Sequence, residues 1–129
     1  MSDIVVFRTA IVDLLKSTVS VPVYRQVTAK TALPYVRVSP IASRRRDMSI
    51  SGLAFQTTLR LYVETARGSG DEAWNISDQV IRAIDGLVLD LSPHSMSNMF
   101  VTNAASIVDI ALEMQSIAID VFTTLSLGE

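Results

Sequence analysis

The chain has 129 residues, the size of one ordinary domain, with 49% hydrophobic and only 19% charged residues and a formal net charge of −2. It contains no cysteine, which excludes disulfides, thiolate metal sites and cysteine nucleophiles, and no apolar run reaches the roughly 18 residues that a membrane helix needs. The acidic balance, with a pI near 5.3, excludes a generally basic nucleic-acid surface, so any such contact must be local.

A domain this small has a large surface for its core and normally covers it with charge. Its low charge content predicts that other subunits hide some apolar surface. The opening residues carry Asp3, Arg8 and Asp13 among apolar ones, with neither a basic start nor a small-residue cleavage site. They predict no secretion signal, hence assembly in the cytoplasm.

From residue 3 to residue 18, Ile4, Phe7, Ile11, Leu14 and Leu15 recur at helical spacing, while Arg8, Asp13 and Lys16 fall off that stripe. Ser2 is the expected N-cap. The segment "VPVYRQV" predicts a short strand that Pro22 confines to a strand start or an edge. "LPYVRVSP" predicts a second strand bracketed by Pro34 and Pro40, with Val36 and Val38 on one face and Tyr35 and Arg37 on the other.

Residues 40–52 then carry Arg44, Arg45 and Arg46 in a connection of about a dozen residues, longer than a hairpin loop usually is. The strongest strand pattern follows in "FQTTLRLYVETAR", where Phe55, Thr57, Leu59, Leu61 and Val63 alternate with Gln56, Thr58, Arg60, Tyr62 and Glu64. "GSG" ends it. A second helix is expected over "DEAWNISDQVIRAIDG", with Asp71 and Glu72 favouring its N-terminus, Ala73, Ile76, Val80, Ile84 and Leu87 on one face, and Gly86 as C-cap.

"LVLDLS" reads as either a strand or an extended connection, and "PHSMSN" as a loop. Alternation of Val108, Ile110 and Leu112, and again of Ile117, Ile119 and Val121, predicts the last strands. The fold class expected is α+β: an antiparallel or mixed sheet of about five to six strands, two helices packed on one face, in the order α-β-β-β-α-β-β(-β).

No residues assemble into a catalytic constellation. His94, the single histidine, has no second ligand of its type and reads as a surface-loop residue. "RGSGDEAW" lacks both phosphate-loop spacings, and Asp71 and Glu72 would repel a phosphate. Asp109, Glu113 and Asp120 read as solvated charges on strand faces, and Trp74 and Met114 as packing residues. The expectation is a non-enzyme with no metal and no cofactor.

At "LPYVRVSP", and through the long strand of "FQTTLRLYVETAR" that passes "GSG" into "DEAWNISDQVIRAIDG", the sequence resembles the tail terminator, or tail-completion, proteins of long-tailed bacteriophages and gene-transfer particles. The resemblance implies a virion protein at the head–tail junction, a hexameric ring of identical chains that caps the tail tube and ends its polymerisation. Its implied partners are the tail tube protein, the head-completion or connector protein, and DNA that passes through the ring without sequence readout; no membrane is involved. Arg44, Arg45 and Arg46 are then candidates for contact with a neighbouring subunit or the tail tube, for backbone contact with DNA, or for a solvated loop. Arginine suits bidentate pairing with carboxylates across an interface, and no interleaved aromatic residue is available to stack on bases. Two other readings stay open: a small α+β interaction or ligand-binding domain acting as a homo-oligomer, and a DNA-binding module whose binding would fall steeply with salt.

Overall fold

The computed structural model describes residues 3–28, 30–48, 52–66, 68, 70–91, 95–96, 98–109 and 114–126. In chain order the elements are α1 (Asp3–Thr18), β1 (Val23–Tyr24), β2 (Tyr35–Met48), β3 (Gly52–Ala66), α2 (Gly70–Ile84), β4 (Ser95–Met96), β5 (Phe100–Asp109) and β6 (Met114–Ser126). The fold is α+β with a mixed sheet, as expected. Its strands run β1-β2-β3-β6, with β4 and β5 both paired to the far side of β6. Among the described residues only the β1–β2 pairing is parallel.

The register explains the core. Val36 and Val38 face Val63 and Leu61 across β2–β3, while Leu59, Leu61 and Val63 face Val121, Ile119 and Ile117 across β3–β6. All eight are fully buried. They form one cluster with Phe7, Ile11, Val12 and Leu15 of α1 and with Ala73, Ile76, Val80 and Ile84 of α2. The period-two stripe and the two 3.6-period stripes therefore meet in one apolar interior.

Each helix ends where its chemistry directs. Ser17 and Thr18 both donate their hydroxyls to the carbonyl of Leu14, which satisfies these side chains within the last turn by back-bonding to the helix. Gly86 has φ +79° just beyond α2, the left-handed conformation that the C-cap reading requires. Its N–H donates to Met99 O, and Met99 N–H donates to Leu87 O, so the segment after α2 is tied to the chain entering β5. Asp85 adds its carboxylate as acceptor for the Val101 N–H.

Several expectations are corrected. The first strand shrinks to Val23–Tyr24. The second does not stop at Pro40: β2 continues to Met48, with a register shift between Pro40 and Ala42. A bulge and an edge position are the two settings in which a strand accommodates a proline that cannot donate. Arg44, Arg45 and Arg46 consequently lie in a strand rather than a loop, opposite Gln56, Phe55 and Ala54 of β3. Residues 87–91 form no strand beyond an isolated bridge at Leu91, and Ser95–Met96 form a short strand within the segment read as a loop. The last strands fall within residues 99–127, the segment expected to supply them, as β5 (Phe100–Asp109) and β6 (Met114–Ser126). Ser2, His94, Ile110, Leu112 and Glu113 lie outside the described residues.

Candidate assembly interface

The face of the sheet opposite the apolar rows is polar and tightly paired. On β2 the alternation that buries Val36 and Val38 places Tyr35, Arg37 and Ser39 across from Glu64, Tyr62 and Arg60 of β3. Arg37 is an ion-pair partner of Glu64 at 3.5 Å, and its guanidinium lies 4.2 Å from the centre of the Tyr62 ring. A cation over an aromatic face is held by the ring quadrupole as well as by packing. The Tyr35 hydroxyl is held well above its ordinary pKa, by burial first and then by hydrogen bonding to the Glu64 carboxylate. Tyr24 on β1 meets the Tyr35 ring edge-on at 5.8 Å.

One strand further, Arg60 Nε donates to Asp120 Oδ1 at 2.7 Å and Arg60 Nη2 donates to Oδ2 at 3.3 Å. This fork joins β3 to β6 at a register pair and raises the pKa of the guanidinium. Asp120, read from sequence as a solvated charge, is instead a cross-strand ion-pair partner. Such cross-strand pairs help to fix the register of a sheet.

Two sheet edges are open. Among the described residues, β1 pairs with β2 only at Val36 and Arg37, so the outer edge of β2 over residues 38–48, including all three candidate arginines, has no strand beside it. On the other side β5 pairs with β6 alone. It also carries two of the exposed large apolar residues, Phe100 at 53% and Ile107 at 50%. An edge strand is a row of unpaired backbone donors and acceptors, and a run of charge along it is a familiar guard against indiscriminate pairing. Trp74, expected to pack, is 44% exposed on α2.

No group of histidines, cysteines and carboxylates among the described residues could hold a metal, and none of the described helices is long and apolar enough to cross a membrane. The arginine stretch is the feature that sequence singled out, and the structure keeps it together on one edge. It does not bring it to the Arg37–Tyr62–Glu64 cluster, which no sequence motif marks because its members meet only through strand pairing.

A paired polar sheet face, two strand edges with no neighbour among the described residues and exposed apolar side chains are features that an assembly contact can use. The family model described as "Tail completion protein gp17" matches residues 9–124, and the chain belongs to that family. It is thus a structural virion protein with a tail-completion role, of a family that is not an enzyme family. Among solved structures, a chain of the virion of a native gene transfer agent particle superimposes with a TM-score of 0.82 at 17% identity, over 93% of this chain and 94% of that one. A second solved chain matches with a TM-score of 0.67 at 15% identity, over 97% and 94%. No curated protein matches the sequence.

Proposed function

We propose that the chain, as one domain over its 129 residues, closes into a hexameric ring that caps the tail tube, ends its polymerisation and forms the head–tail joining interface, with DNA passing through the hole. The family match over residues 9–124 carries this reading. Two further observations support it. The edges of β2 and β5 lie on opposite sides of the sheet, and a head-to-tail contact that uses two different surfaces is the kind that generates a ring when its rotation closes. The apolar exposure at Phe100 and Ile107 is of the type that subunit contacts hide.

Arg44, Arg45 and Arg46 are then contact residues toward the neighbouring subunit or the tail tube. Guanidinium groups pair bidentately with carboxylates across such interfaces. Replacing all three by Glu is expected to block capping of tail tubes in an assembly assay read by electron microscopy, while the circular dichroism spectrum and melting temperature of the isolated protein stay close to wild type. Undiminished capping by the folded variant would remove the arginines from the interface.

A further inference from the structure

A cavity of about 810 Å³ lies between α1, the connection that follows β1, and the β2–β3 end of the sheet. That size is in the range of ligand sites. Among the described residues its lining contains three cations, Arg8, Arg25 and Arg37, and one carboxylate, Glu64. In a chain whose net charge is −2, this is a local concentration of positive charge. Glu64 engages Arg37, so one cation is answered; no ion pair to Arg8 or Arg25 is present among the described residues.

Arg8 is the informative one. Its Nε is buried and has no hydrogen-bond partner. A half-buried guanidinium with one N–H unanswered gains from an anion brought against its other N–H groups. Arg25 is exposed at the rim, where it can meet an incoming anion before that anion is desolvated. Val27, Leu33 and Met114 line the same cavity, which gives a carbon chain apolar surface to bury against.

We propose that this cavity is a binding site for an organic carboxylate, whose oxygens accept from the Arg8 and Arg25 guanidinium groups at its wall while its carbon chain lies against Val27, Leu33 and Met114. Phosphate would satisfy the guanidinium groups but leave the apolar lining wet. The acid comes either from a free small molecule or from a side chain on a second copy of this chain; the chemistry of recognition is the same.

The test follows the arginine Nε–Hε signals of the isotope-labelled protein by NMR while glutarate or inorganic phosphate is added. Saturable shifts of the Arg8 and Arg25 signals with glutarate are expected, with phosphate weaker. Arg25→Gln, at the exposed rim, should weaken glutarate about threefold, and Arg8→Gln about tenfold or more. Sedimentation of the wild type in glutarate separates the sources: an unchanged particle mass indicates a free acid, and a fall in mass that Arg8→Gln/Arg25→Gln does not share indicates a carboxylate of a second copy. The proposal is overturned by an absence of saturable shift up to about 50 mM glutarate, well above a millimolar Kd. It is equally overturned by glutarate binding of wild-type strength in the folded Arg25→Gln protein, or by phosphate saturating the site first.

Discussion

Tyr35 shows how one side chain's surroundings become a measurable property. It is buried, with 4% of its surface exposed, and its hydroxyl donates to a carboxylate, so the folded state holds the phenolic proton more tightly than the unfolded chain does. A group whose folded pKa is raised contributes stability that is intact below the unfolded value, about 10 for tyrosine, and is lost as pH rises beyond it. Urea unfolding at about pH 9 and about pH 11 is therefore expected to show a steeper loss for wild type than for Tyr35→Phe. The variant should itself be less stable near neutrality by about 1 kcal/mol, the net worth of the lost hydrogen bond. Equal losses across that interval would show that Tyr35 does not control the alkaline limb.

Helices and strands differ in how well local sequence announces them. α2 was legible at both ends and on its buried face: Ala73, Ile76, Val80 and Ile84 are buried as their spacing requires, and Gly86 takes the positive φ of a C-cap. That glycine is needed for its backbone alone, since a Cβ there would meet nothing within 4 Å. Gly86→Ala is thus expected to cost about 1–2 kcal/mol through left-handed strain. Gly70→Ala, at the first residue of α2 where the nearest atoms are on the flexible Gln115 side chain at 3.5 Å, should be close to neutral. Urea midpoints of the two variants check the contrast. β2 was half legible. Its proximal part alternates, but Pro40 and the polar run behind it carry no period-two signal, and they are strand because β3 pairs with them as far as Met48 and Gly52.

At the scale of the whole molecule, the polar face, the open edges and the low surface charge all bear on assembly. A ring of six predicts a particle about six times the 14.1 kDa chain mass, seen by sedimentation either in solution or on mixing with tail tubes. The proposed ring would put part of that association on β5, where Phe100 and Ile107 are exposed. Phe100→Asp is accordingly expected to lower the particle mass, or its capture by tubes, without lowering the stability of the chain, since the side chain is already half in water. An unchanged assembly would move the contact elsewhere on the surface.

Periodicity is a local property, because burial of one face imprints a repeat of two or of 3.6 on neighbouring residues. The α+β class, the long strand over residues 55–66, the second helix and the family resemblance could for that reason be read directly from the chain. Strand neighbours and cavities have no such imprint: Arg8, Arg25, Glu64 and Met114 belong to distant segments, and the Arg60–Asp120 fork spans sixty residues of sequence. Those meetings are set by which strand edges find each other when the core closes. The same closure turned an apparent arginine loop into a strand edge, and it left Arg8, which falls off the apolar stripe of its helix, with a buried Nε on a side chain that lines a cavity.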